Sequence, residues 1–305
     1  MADLADLNAF DFEGSDLTVW VYKRSTREGL PVFKGRWVGI TDELAASLRA
    51  AVSGAIGAVD ETIAYEVLAQ NHETSVLTLG ADETHIALVD AQAANPTEDL
   101  KVRQLRDIAN SDFYMLRLVT EDSVLLAVRK TNATWSTRRS SGILRVVFDD
   151  EELDVDERPT FSLEPYFDFF VLGNDIFVAN KARFESVLAY RAMHVEAFEE
   201  LVGEPDFNGI FSDMAAITEF VGTNKIHLQR AIAIREKGHF RDAGFMDNLR
   251  ANCVAMGLTI EFDGEGRIVP TPDTCRDIFQ ALLDHRLDSR LSMRLYDVQS
   301  TEPVG

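Results

Sequence analysis

The fold of this chain is decided around the stretch Y-F-D-F-F-V-L-G-N-D-I-F-V-A-N-K-A-R-F-E-S-V-L-A-Y, residues Tyr166–Tyr190. Its first half contains two apolar runs, Tyr166–Leu172 and Ile176–Ala179, whose composition is typical of β-strands. They are joined at Gly173–Asp175, three residues that tolerate the positive φ angles of a tight connection. The sequence therefore predicts a β-hairpin at the centre of the chain.

A helix is predicted to follow this hairpin directly. Asn180 is a favourable N-cap residue, and the apolar residues Phe184, Val187 and Leu188 follow at helical spacing. Strand-like runs dominate before the hairpin, whereas helical patterns dominate after it. The predicted class is therefore α+β, with a β-rich α/β domain at residues 1–193 and a helical domain with a short hairpin at residues 194–305.

The composition is that of a globular protein. The 305 residues are 46% hydrophobic and 27% charged, which is enough apolar material for a sizeable core. No run of about 18 apolar residues is present, and the acidic N-terminus lacks the features of a secretory signal. With only Cys253 and Cys275, no disulfide framework is indicated. We therefore expect a cytoplasmic protein.

The net charge of −21 argues against a broad attraction to nucleic acid, but it is unevenly distributed. Residues 101–146 contain nine basic and four acidic residues, whereas residues 147–221 contain four basic and 18 acidic ones. Residues 129–145 form the first basic segment, and residues 224–241 form the second. Two local concentrations of positive charge thus stand within an acidic chain.

The first basic segment has the residue types of a nucleic-acid contact. Guanidinium groups bind phosphate bidentately, hydroxyl groups add neutral hydrogen bonds, and an indole ring can stack on a base. The candidate DNA contacts are Arg129, Lys130, Trp135, Arg138, Arg139 and Arg145. The alternative is that these cations pair with the acidic runs on either side.

The second basic segment is predicted to be an amphipathic helix. Glu236 is the single acidic residue among the cations of this segment. Such a helix could line a groove for backbone phosphates, or it could be a core helix with a solvated polar side. The candidate contacts here are Lys225, Arg230, Arg235, Lys237 and Arg241.

Two other classes of function remain open. The sequence has no nucleotide-binding loop, no nucleophile elbow and no paired histidines, so no cofactor, metal ligand or catalytic residue is predicted. However, Glu261 and Asp263 would project from the same face of a strand end, as in metal-dependent nucleases. A nuclease or other hydrolase is therefore one alternative, and a non-catalytic scaffold whose acidic faces bind a basic partner is another.

Two segments carry a family resemblance. They are D-I-F-V-A-N-K-A-R-F-E-S-V-L-A-Y, Asp175–Tyr190, and L-L-D-H-R-L-D-S-R-L-S-M-R-L-Y-D-V, Leu282–Val298. Both resemble the family of cytosolic subunits of the Kiwa anti-phage defence system. The order of a β-rich part, a hairpin leading into a helix and a helical part is also similar to that family.

The resemblance implies a cytosolic DNA-binding effector that interferes with phage DNA replication and late transcription. It implies a small multi-spanning membrane subunit as partner, which would hold the chain at the inner membrane, and self-association into a homodimer or higher oligomer. No family motif identifies individual DNA contacts, so the two basic segments remain the candidates. The acidity of the chain favours a narrow binding groove over a broad surface.

Overall fold

The computed structural model describes residues 4–27, 30–81, 88, 96–104, 108, 111–131, 146–149, 152–155, 166–289 and 291–298. The chain divides into two compact units. The first contains Met1–Ala64 and Gln70–Ala189, and the second contains Tyr65–Ala69 and Tyr190–Gly305. The predicted α+β class is confirmed, since a large sheet precedes a mainly helical part. No pattern in the sequence indicated that Tyr65–Ala69 belong with the second unit.

The first unit is built on one mixed sheet. Its strands are β1 (Asp16–Arg27), β2 (Leu30–Val38), β3 (Glu61–Ala64), β4 (Ser75–Gly80), β5 (Phe113–Val119), β6 (Val124–Lys130), β9 (Phe169–Leu172) and β10 (Asp175–Val178). Strands β7 (Val146–Asp149) and β8 (Glu152–Val155) form a separate antiparallel pair. Among the described residues the sheet has eight strands in the order β2-β1-β5-β6-β9-β10-β4-β3. All neighbours are antiparallel except β3 and β4.

Helices cover the sheet. They are α1 (Leu4–Asn8), α2 (Asp42–Gly57) and α3 (Lys181–Val187). Helix α2 begins after Thr41, whose hydroxyl accepts a hydrogen bond from the Leu44 amide at 3.3 Å. It buries Leu48, Val52 and Ile56 in the main core of the unit. Each such side chain contributes roughly 1.5–3 kcal/mol of apolar burial, which holds helix and sheet together.

The predicted hairpin and helix are confirmed. Strands β9 and β10 pair across a two-residue turn in which Gly173 has a φ of 59°. The Asn180 side chain accepts a hydrogen bond from the Arg183 amide at 3.1 Å and caps α3. Phe184 of α3 then packs edge-to-face on Phe169 of β9, with ring centroids 5.0 Å apart. The hairpin lies inside the sheet, which explains why its residues are apolar on both faces.

Strands β1 and β2 extend beyond the rest of the sheet. Strand β1 pairs with β5 only over Asp16–Tyr22, but it pairs with β2 as far as Arg27. The remainder, Lys23–Arg27 with Leu30–Lys34, pairs with no other strand among the described residues and is called the β1–β2 ribbon below. Residues of such a ribbon advance about 3.4 Å each, so it projects by roughly 15 Å.

The second unit is mainly helical. Its elements are α4 (Tyr190–Gly203), α5 (Pro205–Asn208), α6 (Ala215–Val221), α7 (Lys225–Lys237), α8 (Ala243–Asn252) and α9 (Cys275–Leu282), with hairpins β11 (Glu261–Phe262)–β12 (Ile268–Val269) and β13 (Arg286–Ser289)–β14 (Arg294–Asp297). Leu201, Leu228 and Phe279 lie in its buried core. None of the helices in the described part of the chain combines the length and apolarity needed to cross a bilayer.

Candidate nucleic-acid interface

The first basic segment begins at the same end of the sheet as the β1–β2 ribbon. Tyr22 of β1 pairs with Phe113 of β5, and Phe113 pairs with Lys130 of β6. Because adjacent strands are about 4.8 Å apart, Lys130 lies roughly 10 Å from the base of the ribbon. This edge is called the ribbon end of the sheet below.

Arg129 is buried at the ribbon end. Its side chain is 4% exposed, and its Nη1 donates a hydrogen bond of 2.8 Å to Oδ1 of Asp168, which is fully buried. The guanidinium also lies over the ring of Tyr166, at 4.3 Å from the ring centroid. A phosphate contact by Arg129 would require this ion pair to open. Its predicted role in DNA binding stays a prediction.

Asp168 is the centre of a small charged cluster. Besides Arg129, it accepts a hydrogen bond of 2.7 Å from the Lys130 amide and lies 3.5 Å from the Arg183 guanidinium. Burial raises the pKa of Asp168, although the Lys130 amide and the two guanidiniums act in the opposite direction. Sequence reasoning missed this cluster. The available signal was a single acid in an apolar strand, since a buried carboxylate needs a cationic partner.

Lys130 and Arg24 attach their strands to the end of α3. The Lys130 Nζ donates a hydrogen bond of 2.6 Å to Oγ of Ser186. The Arg24 guanidinium donates to the carbonyl oxygens of Ser186 and of Val187, the latter at 2.9 Å. Cations are favourable at this position because the last carbonyls of a helix carry partial negative charge. These two side chains therefore help to hold α3 against the ribbon end.

The other candidates of the first basic segment lie outside the described residues. They are Trp135, Arg138, Arg139 and Arg145. The chain leaves β6 at Thr131, whose amide donates a hydrogen bond of 3.0 Å to the Asp112 carbonyl. The segment that carries these residues therefore starts at the ribbon end. Their contacts with DNA stay predictions.

Two arginines of the second basic segment are engaged within the second unit. Arg235 donates from Nε to Glu204 at 2.7 Å and from Nη1 to Glu200 at 2.9 Å. Arg241 donates to the same Glu204 at 2.7 Å. The hydrogen bond to Glu200 is the main reason that the pKa of Arg235 is raised. This network joins α7 to α4, and a phosphate would have to compete with it.

The remaining cations of the second basic segment point elsewhere. Lys225 is exposed at the start of α7, and the Lys237 Nζ donates to the Leu283 carbonyl at 3.3 Å. Burial, assisted by Lys237 and Arg230, lowers the pKa of His285 to about 4. Arg235 instead contacts α4, and Arg241 lies beyond the end of α7. The five candidates therefore do not form one face of that helix.

The carboxylate pair of the nuclease alternative is divided between different roles. Oδ1 of Asp263 accepts from the amides of Glu265 and Arg267, both at 2.9 Å, and Oδ2 accepts from the Arg267 Nε at 2.8 Å. These bonds, led by the Arg267 amide, lower the pKa of Asp263. The carboxylate thus closes the β11–β12 turn, while Glu261 is exposed. In the described part of the chain no three histidine, cysteine or carboxylate side chains are grouped to hold a metal ion.

The opposite end of the sheet is acidic. The β5–β6 turn, the β9–β10 turn and α1 line an open groove of about 1150 Å³. The carboxylates around it belong to Asp6, Asp11, Glu121, Asp122 and Asp175. The acidic groove and the ribbon end therefore lie at opposite ends of the strands of the first unit.

The fold and these side chains define a two-unit α+β protein whose first unit has basic residues at one end of its sheet and an acidic groove at the other. The family model described as Kiwa protein KwaB-like matches residues 108–292, which is more than half of the chain. The chain therefore belongs to the KwaB-like family of Kiwa proteins, and the resemblance seen in the sequence is confirmed. Membership indicates a role in Kiwa anti-phage defence. Comparisons with curated proteins and with solved structures found no match.

Proposed function

We propose that this chain is the DNA-binding effector of a Kiwa-type defence system and interferes with phage DNA replication and transcription. The observation that carries the proposal is the KwaB-like family match over residues 108–292. The first basic segment lies within that match and starts at the ribbon end of the sheet. DNA binding there requires no cofactor and no catalytic group.

The separation of charge within the first unit supports this proposal physically. Strand β5 has seven residues, so the acidic groove and the ribbon end are roughly 20 Å apart at 3.4 Å per residue. Electrostatic interactions between exposed charges are largely screened beyond a Debye length of about 8 Å at physiological salt. A duplex bound at the ribbon end is therefore little affected by the acidic groove.

Binding of a short fluorescent DNA duplex to the full chain, titrated over a range of salt concentrations, tests the proposal. Affinity should fall steeply, by about 0.9 log units in the binding constant per log unit of salt for each phosphate contacted. The double variant Arg138→Ala/Arg139→Ala should bind more weakly. A flat salt dependence, or no binding at low salt, would refute DNA binding. Metal-dependent cleavage abolished by Glu261→Ala would replace the proposal by a hydrolase.

The proposed partners are a small multi-spanning membrane subunit of the same system and a second copy of this chain. Together they would hold a cytoplasmic effector at the inner membrane. Co-purification of the chain with the membrane protein encoded beside its gene tests the first partner, and light scattering on the purified chain tests the second. A chain that stays monomeric at micromolar concentration, or that separates from the membrane protein in mild detergent, would remove the corresponding partner.

A further inference from the structure

Two like charges are directly opposed in the first residue pair of the β1–β2 ribbon, and a third lies beside them. Lys23 is the cross-strand partner of Lys34, and Arg36 lies two residues further along on the same face of β2. All three side chains are exposed. Directly opposed residues have Cβ atoms about 5 Å apart, and residues two apart on one strand are separated by about 7 Å. Three cations therefore share one small face.

These cations form no ion pair within the part of the chain that the structure describes. Among the described carboxylates, no oxygen lies within 4.0 Å of a side-chain nitrogen of Lys23, Lys34 or Arg36. Hydrogen bonds led by Thr97 account for most of the lowered pKa of Asp99, and Arg36 makes the smallest contribution. Acids outnumber bases by 51 to 30 in the chain, so carboxylates were available for pairing.

Directly opposed like charges destabilise a strand pair, so this arrangement has a cost in the free protein. An external polyanion would offset that cost, because one phosphate chain can neutralise several adjacent cations. Arg24, on the opposite face of β1, is instead held by carbonyl oxygens at the end of α3. The cations on the ribbon's other face are thus the ones left for a ligand.

The shape of the ribbon fits a duplex. Beyond Lys23 and Lys34 it projects by roughly 15 Å as an antiparallel pair with no further strand beside it among the described residues, and a major groove about 12 Å wide admits a two-stranded ribbon. Cations at the base of a ribbon in that groove would face the phosphates along its rim. The ribbon also stands at the same end of the sheet as the first basic segment. We propose that the base of the β1–β2 ribbon binds the phosphate backbone of double-stranded DNA through Lys23 and Lys34, together with Arg36 of the adjoining part of β2. This inference rests on the proposed function and adds a binding surface to it.

The test compares two triple variants of the full chain. In the first, Lys23, Lys34 and Arg36 are all changed to Gln. The matched control changes Arg250, Arg276 and Arg294 to Gln, which removes the same charge from exposed positions of the second unit. Because three cations that each bind a phosphate are removed, the ribbon variant should bind duplex DNA about 100-fold more weakly at 0.1 M salt, with a salt slope smaller by about 2.7. The control should bind nearly as tightly as the unchanged chain.

Lysine acetylation of the unchanged chain gives a second readout that does not depend on the folding of a variant. Lys23 and Lys34 should be protected when DNA is added, whereas Lys101 should not. Equal affinity of the two triple variants, with DNA binding intact, would overturn the ribbon contact and leave the proposed function standing. Protection by anionic lipid vesicles but not by DNA would identify a membrane surface instead. If the unchanged chain fails to bind DNA at low salt, both proposals fall.

Discussion

The substitution Asp168→Asn should strongly destabilise the first unit. The amide keeps the shape of the side chain and an oxygen that can accept from the Lys130 amide, so the main change is the loss of the negative charge beside Arg129. The Arg129 side chain is 4% exposed, and the substitution removes the carboxylate to which its guanidinium donates a hydrogen bond of 2.8 Å. Leaving a buried charge uncompensated costs about 3–5 kcal/mol, a large part of a typical unfolding free energy of about 5–15 kcal/mol.

Urea denaturation followed by tryptophan fluorescence measures this effect selectively. All three tryptophans, Trp20, Trp37 and Trp135, belong to the first unit. With an m-value of about 2 kcal/mol/M, the midpoint should fall by about 2 M. Glu61→Gln is the matched control, because it removes an acid from the exposed Glu61–His72 pair of the same unit. Exposed pairs contribute about 0–1 kcal/mol, so the control should stay close to the unchanged chain.

The partner substitution separates the ion pair from simple loss of packing. In Arg129→Met the buried Asp168 loses its main cation, and its already raised pKa should rise further. A folded-state pKa above the unfolded value means that the variant is most stable at low pH and loses stability as pH rises through the folded pKa. The double variant Arg129→Met/Asp168→Asn removes both charges and should recover about 2 kcal/mol relative to Asp168→Asn.

The reasoning is refuted if Asp168→Asn is no more destabilising than Glu61→Gln. The double variant also decides the role of Arg129 in binding. If the folded double variant binds DNA as the unchanged chain does, Arg129 stabilises the ribbon end and does not contact phosphate. If affinity falls while stability is restored, the contact predicted for Arg129 is real and the ion pair opens on binding.

Three further predictions concern single positions. Lys34→Glu places an acid opposite Lys23 and should stabilise the first unit by about 1 kcal/mol in urea titrations. The same variant should bind duplex DNA more weakly, as measured by fluorescence anisotropy. Unchanged affinity would contradict the ribbon contact. Gly35→Ala puts a Cβ 2.5 Å from Cε1 of the buried Tyr22 ring, so it should lower the free energy of unfolding by about 1–3 kcal/mol in the same titration. Gly57→Ala is the control, because no atom lies within 4 Å of the Cβ that it adds. Because the pKa of His285 is lowered from 6.5 to about 4, the second unit should lose stability as pH falls through that interval. Unfolding followed by circular dichroism should show a weaker loss of stability in His285→Gln. An identical loss in the variant would argue against a neutral buried histidine.

Local sequence signals were sufficient for the hairpin β9–β10 and helix α3. The apolar strands, the turn glycine and the Asn180 cap all lie within a few residues of one another and support the same structure. The partner of β4 could not be obtained in this way. Strand β4 lies between β10 and β3 in the sheet. Pairing with β10 joins segments almost 100 residues apart, for which no local pattern exists.

The same limit applies to the candidate site. Arg129 ends a strand, so its sequence position suggests an exposed cation, but its partner Asp168 is 39 residues away and is brought close only by the register of β6 and β9. The ribbon was missed for a different reason. Five of the six basic residues among residues 1–100 lie from Lys23 to Arg36. Residues 1–100 also contain 17 acidic residues, so the net charge summed over them is negative and hides the basic cluster. A shorter window and the two-residue period of a strand would have revealed them.

Separation of charge would allow a chain with a net charge of −21 to bind DNA as proposed. Net charge governs approach from a distance, and here it disfavours non-specific encounters with DNA. Contact is governed by charges within about one Debye length, and at that range the ribbon end presents cations while the acidic groove lies roughly 20 Å away. Weak long-range attraction combined with a concentrated local site favours binding only where several phosphates are presented together.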